Sequence, residues 1–409
     1  MTDVFSWAKQ AAPAQLMAWL NTADGETRFV GGCVRDSLLG QPPRLDPKTR
    51  SGRTDIDLAT TFLPQEVMDL LAVQNVRTVP TGIEHGTVTA IVDHIPFEIT
   101  TLRSDISTDG RRATVAFTKD WALDAQRRDF TMNALYLDQS GTVFDPVGGQ
   151  ADLKKAHVRF IGDPLERIKE DYLRILRFLR FSARFSDQLD AEGWSACAQM
   201  KEGLLILSKE RIWQEMSRLF TIPGAPMVLN AAAKEGVLEK LLPSRPRADY
   251  FTSIHHHNEG ELSPSLSLAA LWPEAREEDF KVAFKPSNAD IKHLSALRDA
   301  AHRWKLGEDP HRILYDHGRQ VTVEGLLLHH ALQKDLLEQS DAVLALKASL
   351  LKISVPLLPI KGGDLLKKGI PAGPEVSQYL KAFEQAWIKA GFPDDPKRVE
   401  DLLEEILQH

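Results

Sequence analysis

The feature that most restricts the fold of this chain is a change of pattern near Gly149. Before it, short strand-like runs alternate with short helices; after it, strand signals fade and helical periodicity takes over. RFVGG, from Arg28, reads as a strand, and CVRDSLLG reads as a short helix closed by Gly40. TDIDLATT is a further strand and PQEVMDLLAVQ a helix with Pro64 near its first turn. TVTAIVDHIPFEITTL reads as two alternating strands around an Asp93-His94 turn, and ALYLDQSGTVFDP as a hairpin. Beyond Gly149, Asp163-Pro-Leu-Glu166 begins a long helix running to about Phe185, and Ser208 caps KERIWQEMSRLF. From Thr221 onward, helices alternate with the Pro-rich breaks IPGAP, LPSRPR and DDPKR. The expectation is an α+β head followed by an all-helical remainder.

Composition narrows the class. The 409 residues allow two to four domains, and 43% hydrophobic with 26% charged residues is ordinary for a soluble protein. No stretch approaches the ~20 apolar residues of a membrane span. MTDVFSWAKQAAPAQL lacks the basic flank, apolar segment and cleavage site of a signal peptide, so no membrane association and a cytoplasmic location are expected. Cys33 and Cys197 make neither a disulfide framework nor a metal set. Residues 1–185 carry 23 Lys and Arg against 24 Asp and Glu, while the rest carry 27 against 33. A polyanion site must therefore be a local patch, because the whole-molecule field would not steer one.

Asp55 and Asp57 stand two apart on an expected strand, so both side chains leave one face. Adjacent carboxylates repel, and a cation is the usual reason for tolerating that. Mg²⁺ suits one or two carboxylates plus water and phosphate. Alternating Asp on a solvated strand face is the plain alternative. The neighbouring strand, however, ends in Gly31-Gly32 before a helix carrying Arg35, an arrangement suited to phosphate. A phosphate cradle beside a metal pair makes a nucleotidyl-transfer site. Glu98, in PFEIT, is a candidate third carboxylate from an adjacent strand.

Two basic segments follow. Arg127-Arg128-Asp129 is expected to begin a helix, where a basic pair opposes the helix dipole and suggests a bound anion or an acidic partner. The expected helix from Glu170 to Phe185 places Asp171, Arg174, Arg177 and Arg180 three residues apart, with Arg184 beyond. Arg174 to Arg184 fall within an arc of about 120°. No Asp or Glu occurs between Tyr172 and Ser186, so local counter-ions are lacking. Such arginines want an anion or a planar partner.

GGCVRDSLLG, DID, RRDFTMNAL, DPVGGQADL and EDYLRILRFLRF together resemble the class II tRNA nucleotidyltransferases. These are the bacterial CCA-adding enzymes, which share a superfamily with bacterial poly(A) polymerases and the DNA polymerase β-like fold. The resemblance runs in order from about Arg28 to Phe220. It implies a catalytic head (1–149), a helical neck that selects the base (150–220), a helical body (221–340) and a helical tail that binds tRNA (341–409). Gly32 would contact the triphosphate, Arg35 would pair with it, and Asp55 and Asp57 would hold Mg²⁺, as two ions. Arg128 would touch phosphate or ribose, and Asp129 would accept from the 2′-hydroxyl. Asp171 and Arg174 would read the Watson–Crick edge, with Arg177 and Arg180 as further nucleotide-binding arginines. The polar segment from Thr101 to Gln126 resembles the family's flexible loop, needed for the terminal A.

One departure stands out. QPPRLDPKTRSGRT, in residues 41–54, is longer than the family pattern and sets Arg44, Lys48, Arg50 and Arg53 against Asp46. A neutral surface insertion is expected, with an RNA contact as the alternative. No His-Asp dipeptide occurs, so no second hydrolase is expected. The resemblance implies addition of C, C and A to the tRNA 3′ end from CTP and ATP, releasing pyrophosphate, by a monomer rather than an oligomer. The rivals are a poly(A) polymerase, for which the acidic C-terminus VEDLLEEILQH is unsuited, an A-adding enzyme with a CC-adding partner, and a non-catalytic RNA-binding protein.

Overall fold

Alternation of buried and accessible residues builds the head. Residues 4–43, 45, 56–109, 112–242, 244–257, 262–333 and 340–408 are described by the computed structural model, the side chains of 105–115 and 340 excepted. The strands are β1 (Thr27–Val30), β2 (Asp57–Thr60), β3 (Arg77–Gly82), β4 (Thr87–Val92), β5 (Ile95–Thr101), β6 (Arg103–Asp109), β7 (Arg112–Phe117), β8 (Tyr136–Leu137) and β9 (Val143–Phe144). Seven form one mixed sheet in the order β3-β4-β5-β2-β1-β8-β9, and β6 pairs with β7 as a separate ribbon. The β4–β5 turn is Asp93-His94, both at positive φ (49° and 65°), the geometry of a tight two-residue hairpin.

The register gives the sheet two different faces. Phe29, Leu58, Ile99 and Val88 align across β1, β2, β5 and β4 and are all buried. Against these strands pack α1 (Ala11–Leu20), which buries Leu16, Met17 and Leu20, and α3 (Pro64–Val73), which buries Val67 and Leu71. Each such apolar side chain contributes about 1.5–3 kcal/mol. The short α2 (Gly32–Leu38) follows β1 directly. The opposite face is partly covered by Ala125, Ala134, Tyr136 and Ile161, packed on Val30 and Ala59.

After the sheet come α4 (Trp121–Gln126), α5 (Gly149–Lys154), α6 (Pro164–Glu170), α7 (Leu173–Phe185), α8 (Ala191–Gln199), α9 (Lys209–Phe220) and α10 (Ala225–Lys234). Two expectations need correction here. The segment expected as a loop before Arg127 holds the β6–β7 ribbon. The helix expected from Asp163 to Phe185 is broken at Asp171, whose backbone is extended (φ −156°, ψ 105°). The Asp171 carboxylate accepts from the Leu173 N–H at 3.1 Å, a side-chain bond that starts a new helix rather than continuing the old one. α7 buries Ile175, Leu176, Phe178 and Leu179, and packs on α9 and α10.

The chain divides into two compact units, Met1–Leu241 and Leu242–His409. Secondary structure in the second is helical: α11 (Ala248–His256), α12 (Pro264–Leu271), α13 (Glu277–Phe284), α14 (Asn288–Lys305), α15 (Pro310–Ala331), α16 (Ser340–Lys352), α17 (Gly362–Lys367), α18 (Pro374–Lys389) and α19 (Pro396–Leu407). α15 is interrupted at Gly318, where φ is 74°. The segment after it crosses α14 closely, with Trp304 Nε1 donating to the Thr322 carbonyl at 2.9 Å. A second core gathers Leu365, Phe383, Trp387, Leu402 and Leu403. Among the described residues no helix is long and apolar enough to cross a membrane.

Candidate nucleotide site

The carboxylates lie at the accessible end of the sheet's less covered face. β2 and β5 are parallel, and their register sets Asp57 beside Glu98. Directly paired residues point to the same side of a sheet, and both are exposed. Asp55 lies outside the described residues. Two neighbouring oxygen ligands suit a hard divalent cation that completes its shell with water and phosphate. Among the described residues, no group of three or more His, Cys, Asp and Glu could hold a metal ion. Cys33, behind Asp57, is inert: burial, and then the Asp57 charge, push its thiol up to about 12.

The Gly-Gly turn abuts the RRD segment. Gly31 adopts φ 73°, ψ −122°, which a side chain would disfavour. Its N–H donates to the Leu135 carbonyl at 3.1 Å. Gly32 is the first residue of α2. Arg35 is only 5% exposed. It donates to Asp36 Oδ1 at 2.7 Å and Asn133 Oδ1 at 2.5 Å, and its guanidinium lies 4.4 Å from the Phe185 ring centroid. Arg35 therefore ties α2 to the residues after RRD rather than standing open to solvent.

Arg127 and Arg128 follow the end of α4, correcting the expectation that they begin a helix. Asp120 caps the start of that helix by accepting from the Ala122 and Leu123 N–H groups. The basic pair thus meets the negative end of the dipole, where it is favourable. Both arginines converge on the fully buried Asp124, at 2.7 and 3.1 Å, and Tyr136 donates to the same carboxylate at 2.8 Å. Burial opposes the Asp124 charge, yet Arg128 and Arg127 hold its carboxyl at about 2. Asp129 accepts from the Phe130 N–H, from Asn133 Nδ2 at 2.9 Å, and from Arg177 Nε and Nη2 at 2.8 and 2.5 Å. Gly149, from DPVGG, packs so close that a Cβ would sit 2.2 Å from the Thr131 carbonyl oxygen, which fixes α5 against this segment.

The arginines of α7 are not short of counter-ions, contrary to the sequence expectation. Arg174 pairs with Glu170 and donates to the Arg167 and Arg127 carbonyls at 2.6 and 3.2 Å. Arg177 is held by Asp129, with Glu215 at 3.7 Å. Arg180 pairs with Glu215 at 2.6 Å and lies over Phe181. Arg184 meets Asp36 at 3.1 Å. Asp171 sits just before the helix and accepts from Arg211 at 2.6 Å. Glu170 stands four residues before Arg174, a pairing the spacing allows. The other charges come from α2, α9 and the RRD turn, which sequence spacing does not bring together. Arg211 and Glu215 stand four apart on α9, a spacing that puts both on one helix face, and Glu215 is 4% exposed there. One continuous polar network runs from Arg177 through Asp129, Asn133 and Arg35 to Asp36.

The comparisons with known proteins agree with this layout. A family model described as "Poly A polymerase head domain" matches residues 27–159, and one described as "Probable RNA and SrmB- binding site of polymerase A" matches 188–246. CCA tRNA nucleotidyltransferase 1, mitochondrial, of Mus musculus is 32% identical over 383 residues, 90% of this chain and 84% of the relative. The CCA-adding enzyme of Streptococcus gordonii is 30% identical over 406 residues, 94% of this chain and 95% of the relative. The crystal structure of the Bacillus stearothermophilus CCA-adding enzyme in complex with CTP superposes with a TM-score of 0.70 at 26% identity, covering 99% of this chain and 98% of that one. The Thermotoga maritima CCA-adding enzyme complexed with tRNA shares the fold, with a TM-score of 0.65 at 20% identity over 97% and 94% of the two chains. With a polymerase-type head, a remainder that is helical among the described residues, and relatives matched over 84% and 95% of their length, the chain belongs to the CCA-adding enzymes, the CCA tRNA nucleotidyltransferases.

Proposed function

We propose that this protein adds C, C and A, without a nucleic-acid template, to the 3′ end of tRNA from CTP and ATP, releasing pyrophosphate. The carrying observation is the exposed Asp57–Glu98 pair beside the Gly31-Gly32 turn, backed by the arginine–carboxylate network. The RNA 3′-hydroxyl gives its proton to solvent as its oxygen bonds to the α-phosphorus, while the bond from that phosphorus to the bridging oxygen breaks and pyrophosphate leaves. Asp57, with Asp55, would hold divalent cations, as two Mg²⁺, and Glu98 is a candidate third carboxylate. Bound ions would supply charge neutralisation at the α-phosphate and at the departing pyrophosphate.

The protein's own groups supply position. The backbone at Gly32 takes the triphosphate. Arg35 and Arg128 reach triphosphate and ribose by yielding a bond each now makes within the chain, to Asp36 or Asn133 and to Asp124 respectively. Asp129 takes the 2′-hydroxyl if Arg177 yields one of its bonds, since all four acceptor positions are engaged within the chain. Asp171 and Arg174 read the base: cytosine and adenine each offer an amino donor beside a ring acceptor, matching one carboxylate and one guanidinium. Uracil and guanine place a carbonyl where the amino group should be, stranding the carboxylate. Arg177 and Arg180 complete the neck side. Functionally the chain divides into head (1–149), neck (150–220), body (221–340) and a tRNA-binding tail (341–409), acting as a monomer in the cytoplasm, although some relatives are named as mitochondrial.

The test is incorporation of labelled CTP and ATP into tRNA lacking CCA. Wild type should extend it, and Asp57→Ala should abolish extension while tRNA affinity stays within a few-fold. Near-normal turnover by that variant would remove the assigned metal site.

A further inference from the structure

The second unit contains a cavity of about 450 Å³ between α14, the end of α15 and the segment after α12. Arg298, His302 and Lys305 line it from one face of α14, at i, i+4 and i+7, and His329 faces it from α15. Its acidic lining residue is the exposed Glu274; Arg276, at the rim, is paired with Asp279 at 3.1 Å. Among the described residues, no carboxylate lies at ion-pair distance from Arg298, His302 or Lys305. Arg298 makes one weak bond, at 3.4 Å, to the Trp272 carbonyl, and lies 5.4 Å from the Phe280 ring centroid.

Two helix ends account for part of this charge, since His302, Lys305 and His329 lie in last turns, where cations meet the dipole. They do not account for Arg298, two turns inside α14. Burial lowers its pKa in spite of Glu277, and burial together with Lys305 lowers that of His329. A guanidinium and an ammonium with no carboxylate at ion-pair distance among the described residues thus face a space large enough for a small ligand. We infer that this cavity is an anion site for a phosphate group, held by Arg298 and Lys305 with His302 as a further donor. His329, whose Nε2 accepts from the Gln333 amide at 2.7 Å, contributes through its other ring nitrogen. A guanidinium and an ammonium with two imidazoles form the donor set that phosphate oxygens recognise. The group is either a backbone phosphate of bound RNA or a free polyphosphate such as pyrophosphate.

The test uses the full chain with labelled histidine rings, His302 and His329 being assigned from His302→Gln and His329→Gln variants. Sodium pyrophosphate is titrated without divalent metal and compared with chloride at equal ionic strength. The two ring signals should shift saturably, with a midpoint near or below about 1 mM. Lys305→Gln, on an exposed side chain, and Arg298→Lys, which keeps the charge but not the fork, should each weaken binding at least several-fold with unchanged circular dichroism. If tRNA lacking CCA abolishes the pyrophosphate shift, the phosphate is the RNA backbone's; if the shift persists beside tRNA, the ligand is the free anion. Signals that move no more with pyrophosphate than with chloride, or folded variants that bind as wild type does, overturn the inference. Failure of CCA addition would leave these shifts in place, so the two conclusions are tested separately.

Discussion

Asp129→Asn probes the centre of the network. In the folded chain, burial opposes the Asp129 charge, and Arg177, Asn133 and the Phe130 N–H more than offset it, holding the carboxyl at about 2. Against an ordinary value of about 3.9, that drop corresponds to about 2–3 kcal/mol favouring the folded, ionised state. The folded pKa lies below the unfolded one, so this stability is fully present above about pH 4 and is lost as pH falls through about 2. Asn keeps the shape but turns an amide toward Arg177, leaving it with Glu215 at 3.7 Å. At pH 7 the first unit should melt about 5–10 °C lower, taking 2–4 °C per kcal/mol for its size. The gap from wild type should narrow as pH approaches 3. Thermal unfolding followed by circular dichroism measures both, and primer extension with ATP against dATP should show weakened ribose selection. An unchanged melting temperature at pH 7, or a gap that does not narrow with acid, would refute the assignment of Asp129 as a paired anion.

Other expectations follow from the same geometry. Arg174→Ala should reduce CTP and ATP use and raise UTP or GTP misincorporation, with discrimination falling roughly 10–100-fold, read by single-nucleotide extension. Asp171→Asn should accept UTP better than wild type, because its amide can donate to O4; strict CTP and ATP preference in both variants would place base reading elsewhere. Changing Arg44, Lys48, Arg50 and Arg53, which lie outside the described residues, to Ala should leave the salt dependence of tRNA binding unchanged if the insertion is neutral. A log–log slope reduced by about one per lost contact would show that they touch phosphate.

Much of the head was legible in sequence because its signals are local. The Gly-Gly turn, the alternation in β4 and β5, and the Asp93-His94 hairpin follow from neighbouring residues. β3 was missed because RTVPTG lies at the sheet edge, where exposure removes alternation and Pro80 is tolerated. The break at Asp171 was hidden because α6 and α7 continue one apolar periodicity, and one side-chain bond decides the difference. Counter-ions were the largest gap. Glu215 reaches Arg180 across 35 residues and Asp129 reaches Arg177 across 48, and such pairings depend on how α9 and the RRD turn pack on α7.

The most direct test of the central claim is sequencing of 3′ ends after incubating the protein with tRNA lacking CCA and CTP, ATP, UTP or GTP, singly and together. The account predicts that CTP alone gives two added C residues, that CTP with ATP gives CCA and stops, and that UTP and GTP give none. Tails of A from ATP alone, or A added only to tRNA already ending in CC, would contradict it.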